Sequence, residues 1–223
     1  MSIPLWRPSL EEKEKTLLTQ FTNKVRKKYH LPDSEYSTLH QWSIENPQLF
    51  WEEVWNDCEI IASKLWSGVM GKNLFNVRND SHGSGWFRGA QMNYAENLLL
   101  KNNDKNEALI FVAENGNQNS ISYEELRKTV SQCASGMKNI GVTEMDRVAA
   151  VIPNCPEAII GLLASSSIGA IWSSCSPDFG IKGINDRLGQ ISPKILITVN
   201  GYHYNGKKHD CLEKIREVAK LIP

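Results

Sequence analysis

The chain has 223 residues, of which 25 are Lys or Arg and 25 are Asp or Glu, so its formal net charge is zero. Proteins that bind nucleic acid usually carry a surplus of basic residues, and this balance argues against that class. The five cysteines are widely spaced and form no CxxC pair, which argues against a zinc site and a disulfide framework and favours a reducing compartment.

The hydropathy pattern argues against a membrane protein. The longest apolar run, near residues 158–172, contains three serines and is too short to cross a bilayer. The first residues include acidic side chains and lack the apolar stretch of a signal peptide. We therefore expect a cytoplasmic protein whose partners are small molecules, with neither nucleic acid nor membrane among them.

The first part of the chain has the pattern of helices. Ser9 and Glu12 have the spacing of a capping box, and apolar residues at helical spacing follow them, which predicts one amphipathic helix over residues 9–30. Asn46 and Pro47 predict the N-cap and the first residue of another helix.

Five of the seven tryptophans lie before residue 70. Their helical spacing, with no basic residues between the rings, favours packing against a neighbouring surface over a stacking platform for bases or sugars. The Gly- and Ser-rich segment 79–89 predicts a linker. We expect a helical N-terminal cap region over residues 1–85 and an α/β region over residues 86–223.

The α/β region begins with a predicted hairpin. Residues 108–114 and 120–123 are rich in strand-forming residues, and the Asn-Gly pair between them is a strong hairpin signal. Ser122 and Glu125 form a second capping box, which predicts a helix that ends near Gly141.

Strands and helices alternate after this helix, which predicts crossover units and a parallel sheet. The strands are nearly continuous apolar runs, as expected when helices cover both faces of the sheet, and the apolar helix should be deeply buried. The expected fold is α/β: a helical N-terminal extension, then the first strands and helices of a doubly wound, mostly parallel sheet that is truncated. The predicted elements are strand 147–153, an apolar helix from Pro156, strand 170–174, a helix that includes 186–191, strand 194–199 and helix 207–222.

Two polar loops follow predicted parallel strands. They are "IWSSCSPDFG" at 171–180 and "NGYHYNGKKHD" at 200–210. Ligands of open α/β sheets bind at the carboxyl ends of the strands, so both loops are expected to line one crevice. Two ordinary strand-to-helix turns are the alternative interpretation of the same residues.

Three segments resemble acetoacetyl-CoA synthetases, a family of the acyl-adenylate-forming superfamily. They are residues 86–99, 169–180 and 201–208, within a resemblance that covers nearly the whole chain. The resemblance implies an ATP-dependent acid–CoA ligase, in which ATP with Mg²⁺ adenylates acetoacetate and the thiol of CoA then displaces AMP. It also assigns residues 86–223 to the first part of the AMP-forming adenylation domain.

The resemblance covers the N-terminal third of such an enzyme. No GxxxxGK[ST] phosphate-binding motif occurs in residues 1–223, and the family's phosphate loop lies beyond them. We therefore expect these residues alone to be inactive, with no catalytic residue, no metal ligand and no tightly bound cofactor. The rest of the polypeptide is expected to pack on the truncated sheet.

The resemblance places His203 and Lys207 near the 3′-phosphate of CoA. Lysine is well suited to a phosphate, whereas His203 stands where related sequences tend to have arginine and would bind it more weakly. Lys207 also lies at the start of the predicted last helix, where the helix dipole favours an anion. The alternative is that Lys207 is a solvated lysine with no ligand.

The resemblance assigns three more residues to the CoA side. Phe179 and Gly180 match a turn that starts a helix beside the pantetheine tunnel, and Asp178 is expected to cap that helix.

Two other functions remain open from the sequence. The ligase could act on another short-chain acid, such as acetate or propionate. The chain could also be a stand-alone binding or interaction module that uses its tryptophan-rich helical half as a docking surface.

Overall fold

The computed structural model describes residues 5–70, 85–100 and 103–222. The chain divides into two compact units, Met1–Gln91 and Met92–Pro223. Most of the segment predicted as a linker, residues 79–84, lies outside the described residues. Within the described parts of the chain, no helix is both long enough and apolar enough to span a membrane.

The first unit contains four helices in its described residues. The prediction of one helix over residues 9–30 is wrong, because the chain turns at Thr16, which has an extended ψ of 144°. The Thr16 hydroxyl accepts a hydrogen bond from the backbone N–H of Thr19 at 3.2 Å and so starts a new helix. The capping box of Ser9 and Glu12 is confirmed. The helices are α1 (Leu10–Glu14), α2 (Leu17–Tyr29), α3 (Tyr36–Glu45) and α4 (Pro47–Asp57).

Aromatic side chains form much of the core of the first unit. Trp42 and Trp55 are buried, and Trp42 packs against Tyr29 with 4.7 Å between the ring centroids. A buried carboxylate, Glu53, accepts hydrogen bonds from Lys28 and from the Tyr29 hydroxyl. The interpretation of these tryptophans as packing residues agrees with their positions.

The second unit contains five helices and seven strands among the residues that the structure describes. The capping box of Ser122 and Glu125 is confirmed, and Gly141, with φ of 91°, follows the end of the helix that it opens. The elements are α5 (Tyr94–Leu99), β1 (Glu107–Val112), β2 (Gln118–Ser122), α6 (Tyr123–Asn139), β3 (Arg147–Val151), α7 (Pro156–Ser167), β4 (Ile171–Cys175), α8 (Ile181–Leu188), β5 (Ile195–Thr198), β6 (Gly201–Tyr204), β7 (Lys207–Asp210) and α9 (Leu212–Leu221).

The parallel sheet is confirmed. Its three strands have the order β4-β3-β5, and both neighbours of β3 run parallel to it. In this register Ala150 lies between Ser174 and Ile197. β1 and β2 form a separate antiparallel hairpin, as predicted from its Asn-Gly turn, and β6 and β7 form another.

Helices cover both faces of this sheet. Side chains alternate along β3, so Val148 joins a buried cluster with residues of α6 and α7, while Ala149 and Val151 join a cluster with residues of α8 and α9. This agrees with the apolar character of the strands. The predicted deep burial of α7 holds for Gly161, Leu163, Ala164 and Ser165, whereas Ile159 on its outer face is 39% exposed.

The last predicted helix begins later than expected. Residues 207–210 form strand β7, and the helix starts only at Leu212. The reason is the turn at Asn205 and Gly206, whose φ angles are 50° and 68°. Positive φ at both central residues is what a two-residue hairpin turn of type I′ requires, and Asn-Gly supplies it at little cost.

Candidate functional site

A cleft of about 940 Å³ opens at the carboxyl edge of the parallel sheet. Its walls come from the segments that follow β3, β4 and β5 and from the turn of hairpin β1–β2. Both polar loops singled out in the sequence contribute, the first through residues 174–178 and the second through residues 201–204. The predicted crevice shared by the two loops is therefore confirmed, and the β1–β2 turn is an additional wall.

The cleft is lined by both apolar and polar side chains, and the formal charge of its lining is negative. No lysine or arginine is among the described residues that line it. Burial raises the pKa of the Cys155 and Cys175 thiols, which keeps them protonated and poorly nucleophilic near neutral pH. The ionisable side chains that line the cleft are Glu114, Glu157, Asp178, Cys155, Cys175, Tyr202, His203 and Tyr204.

Asp178 connects the two loops of the cleft. Its carboxylate accepts a hydrogen bond from the Tyr202 hydroxyl and another, at 2.8 Å, from the Ser176 hydroxyl. These bonds lower the pKa of Asp178. The bond to Asp178, helped by burial, raises the pKa of Tyr202 to about 12. The pair therefore ties the loop after β4 to the start of hairpin β6–β7.

The prediction that Asp178 caps the following helix is wrong. Gly180 is the N-cap of α8, and no side chain makes a capping hydrogen bond there. The Asp178 carboxylate already accepts bonds from Tyr202 and Ser176, so it binds within the loop. Phe179 packs under the Arg187 guanidinium, which lies 4.1 Å from the ring centroid.

His203 and Lys207 lie on opposite strands of hairpin β6–β7. His203 lines the cleft, whereas Lys207 is exposed on β7 and pairs with Tyr204. Lys207 is not at a helix start, so the helix dipole gives no reason for an anion beside it. Paired residues of an antiparallel ladder point to the same face, which places Lys207 with Tyr204 and, two residues away, Tyr202.

Glu114 was not among the site residues predicted from the sequence. Its carboxylate accepts hydrogen bonds from the backbone N–H groups of Asn205, at 2.6 Å, and Gly206, at 3.4 Å. The Asn-Gly pair at 205–206 was a visible hairpin signal, and it would have predicted β6 and β7 in place of a helix start. Nothing in the local pattern around Glu114 indicates this partner.

Among the residues described by the structure, no group of three or more His, Cys, Asp and Glu side chains could hold a metal ion.

Comparison with known proteins identifies the family. The family model described as AMP-binding enzyme matches residues 100–222. The chain belongs to the AMP-binding enzyme family. A second model, described as the acetyl-coenzyme A synthetase N-terminus, matches residues 36–98.

Individual members of the AMP-binding family match almost the whole chain. An acetoacetyl-coenzyme A synthetase of Rhizobium meliloti (strain 1021) is 39% identical over 98% of this chain and 33% of its own length. A malonamoyl-CoA synthetase of Penicillium aethiopicum, vrtB, is 38% identical over 98% of this chain and 30% of its own length. This chain thus spans about a third of the length of the curated relatives it matches.

A solved structure of the same family matches the fold. The acetoacetyl-CoA synthetase from Streptomyces lividans has a TM-score of 0.91 and 32% identity, and it covers 100% of this chain and 34% of its own. The resemblance to acetoacetyl-CoA synthetases that the sequence indicated is confirmed.

Proposed function

We propose that this chain forms one part of an ATP-dependent acid–CoA ligase that converts acetoacetate into acetoacetyl-CoA. The observation that carries the proposal is the match, over 98% of the chain, to an acetoacetyl-coenzyme A synthetase, together with a TM-score of 0.91 to a solved one. ATP with Mg²⁺ and CoA are the proposed co-substrates, and the cytoplasm is the proposed compartment. The remainder of the polypeptide is proposed to pack against the parallel sheet.

The proposed reaction has two steps. A carboxylate oxygen of acetoacetate attacks the α-phosphorus of ATP, the acyl-adenylate forms and pyrophosphate leaves. The sulfur of CoA then attacks the acyl carbon, AMP leaves and the thioester forms. No side chain of this cleft is assigned to the first step, because residues 1–223 contain no GxxxxGK[ST] or comparable phosphate cradle.

The names of the relatives narrow the class of acid. An acetoacetyl group and a malonamoyl group both carry a carbonyl at the third carbon and differ in having a methyl or an amino group beyond it. We propose that the acid carries a carbonyl at this position. Acetate and propionate, the alternatives that the sequence left open, lack it.

The test uses the full-length protein, expressed from the whole reading frame that encodes this chain. Thioester formation is measured with acetoacetate, malonamate, acetate and propionate, and acid-dependent exchange of pyrophosphate into ATP is measured without CoA. Acetoacetate should give the highest kcat/KM. A higher kcat/KM with acetate or propionate would overturn the assignment of the acid. A lack of pyrophosphate exchange with all four acids would overturn the assignment as a ligase.

We also propose that hairpin β6–β7 and the loop before α8 form the CoA side of the cleft. His203 lines the cleft, and Lys207 shares a face of the hairpin with Tyr202 and Tyr204, which line it too. Asp178 would hold the hairpin through Tyr202, while Phe179 and Gly180 would set the start of α8. An exposed contact between lysine and phosphate contributes roughly 1 kcal/mol or less, which is several-fold in affinity.

Lys207→Ala tests the CoA side in the same full-length protein. The KM for CoA should rise several-fold while pyrophosphate exchange without CoA stays unchanged. Lys128→Ala is the control for loss of one positive charge, because Lys128 is exposed on α6 and does not line the cleft. His203→Arg should lower the KM for CoA. Equal slowing of both half-reactions by Lys207→Ala would exclude the CoA role.

A further inference from the structure

The tip of hairpin β6–β7 has two backbone donors that the hairpin itself does not use. The ladder between β6 and β7 ends at the pair Tyr204 and Lys207, so Asn205 and Gly206 form the turn. Both have positive φ. In a two-residue turn of this kind the N–H groups of the two central residues point away from the ladder. Left to solvent, these amides would exchange their protons rapidly.

The carboxylate of Glu114, which lies in a different part of the fold, accepts hydrogen bonds from both of these N–H groups. It lies in the turn of hairpin β1–β2, 91 residues before Asn205 in the sequence. One carboxylate oxygen accepts from Asn205 at 2.6 Å and the other accepts from Gly206 at 3.4 Å. A carboxylate that accepts from backbone N–H groups makes the stronger, charge-assisted kind of hydrogen bond.

The same hairpin is held at its other end. Tyr202, near the start of β6, donates to the carboxylate of Asp178 in the loop after β4. Tyr202, His203 and Tyr204 all line the cleft, as do Glu114 and Asp178. The two carboxylates therefore contact the hairpin from two different walls of the cleft, one at its tip and one near its start.

We propose that Glu114 is a positioning residue. It holds the tip of hairpin β6–β7 and thereby keeps Tyr202, His203 and Tyr204 over the opening of the cleft. Release of this contact lets the tip of the hairpin move away from the β1–β2 turn and widens access to the cleft. This role of Glu114 does not depend on which ligand the cleft takes, so it stands or falls separately from the ligase assignment.

The first test measures the contact itself in residues 1–223. Exchange of the Asn205 and Gly206 amide protons with water is followed by NMR in the original chain and in Glu114→Ala. The exchange should accelerate about fivefold, which corresponds to the usual net contribution of a hydrogen bond. Glu114→Gln should give a smaller effect, because its side-chain oxygen still accepts. Glu107→Ala, at the other end of β1, is the control and should change neither rate.

The second test measures access to the cleft. Cys155 and Cys175 line it, whereas Cys133 lies on α6 outside it. Alkylation of each thiol is followed by mass spectrometry, with Cys133 as the internal reference. Glu114→Ala should accelerate the reaction of Cys155 and Cys175 several-fold relative to Cys133, and Glu107→Ala should not.

The two readouts separate the possible results. Unchanged amide exchange in Glu114→Ala would show that the contact does not hold the tip and would overturn the proposal. Faster exchange with unchanged alkylation of Cys155 and Cys175 would show that the contact does not control the cleft, which would overturn the positioning role. If Glu114→Ala fails to fold, Glu114→Met carries both measurements with the same criteria, because its thioether is a weak acceptor.

Discussion

Gly161 lies on α7 directly against the indole ring of Trp172 on β4. A Cβ atom built on Gly161 would lie 2.6 Å from the nearest ring atom, which is closer than carbon atoms can approach without displacement. The indole Nε1–H donates to the Ser174 hydroxyl at 3.2 Å, so moving the ring aside breaks this bond. A glycine at position 161 therefore lets the helix pack closely on the sheet without displacing the ring.

Gly161→Ala should destabilise the second unit by about 1–3 kcal/mol, the usual cost of overpacking. The matched control is Gly136→Ala on α6, where a Cβ would meet no atom within 4 Å. That change should stabilise the unit by about 0.5–1 kcal/mol, because alanine favours the helix. Urea unfolding followed by circular dichroism measures both. A stable Gly161→Ala variant would show that the Trp172 ring moves aside at little cost.

Asp146 shows how local bonds set a pKa. Its carboxylate accepts hydrogen bonds from Lys194, from the backbone N–H of Thr143 and from the Thr143 hydroxyl, at 2.8, 2.7 and 2.9 Å. Led by the bond to Lys194, these contacts lower the pKa of Asp146 to about 2 from its ordinary value of 3.8. The pKa is lower in the folded chain, so Asp146 stabilises the fold above pH 4.

The contribution of Asp146 should therefore be lost as the pH falls from about 4 to about 2. The free energy of unfolding of the original chain and of Asp146→Asn, measured by urea unfolding, should differ by a constant amount above pH 5 and converge towards pH 2. Asp186→Asn, on the exposed side of α8, is the control for a general effect of charge. A difference that persists unchanged at pH 2 would rule out the carboxylate as its source.

At the scale of single elements, the N-terminus of α6 is set by its own side chains. The Ser122 hydroxyl accepts from the backbone N–H of Glu125 at 3.2 Å, and the Glu125 carboxylate accepts from the backbone N–H of Ser122 at 2.9 Å. The helix α6 that follows buries Leu126, Val130, Ala134 and Met137 in the core. The capping box therefore acts on a helix that the core depends on.

Ser122→Ala should lower the free energy of unfolding by about 1 kcal/mol, since it removes one N-terminal acceptor. Ser135→Ala is the control, because Ser135 is exposed in the middle of the same helix and contributes no cap. The measurement is thermal unfolding of the second unit. Equal effects of the two substitutions would argue against the cap.

Two element boundaries were predicted less well, although each has a local signal. The amphipathic pattern of residues 9–30 continues across Thr16, so periodicity alone predicts one helix, whereas the Thr16 N-cap separates α1 from α2. Residues 207–222 include strand β7 and helix α9, and the Asn-Gly turn at 205–206 makes the first four of them a strand. In both places helical periodicity outweighed a cap or turn signal in the sequence-based prediction.

At the scale of the whole molecule, the chain divides at residues 91 and 92. We propose the domain division that the sequence suggested, a helical cap region over residues 1–85 and the beginning of the adenylation domain from residue 86. The family models divide the chain in a similar place, with one match over residues 36–98 and another over residues 100–222.

Residues 1–223 by themselves should form no acyl-adenylate, because they contain no GxxxxGK[ST] or comparable phosphate cradle, and the Ser/Thr/Gly-rich phosphate loop that the resemblance implies lies beyond them. Purified chain is incubated with ATP, Mg²⁺ and acetoacetate, and pyrophosphate is measured with a coupled assay. No release above the rate without acetoacetate is expected. Acetoacetate-dependent release would show that this cleft carries the adenylation chemistry itself.

The sequence by itself determined the features that depend on near neighbours in the chain. Both capping boxes, the β1–β2 turn, the parallel strands and the two loops at their carboxyl ends follow from spacing within a few residues. The expectation of a crevice at that edge follows from the rule that crossover units impose on parallel strands.

Only the tertiary structure decided which side chains meet in the cleft. Glu114 reaches Asn205 across 91 residues, and Tyr202 reaches Asp178 across 24. The physical reason is that such contacts depend on strand order and on where each hairpin packs, which many weak interactions determine together. Hydrophobic periodicity and turn signals describe each element alone, so they contain no information about which hairpin tip lies beside which carboxylate.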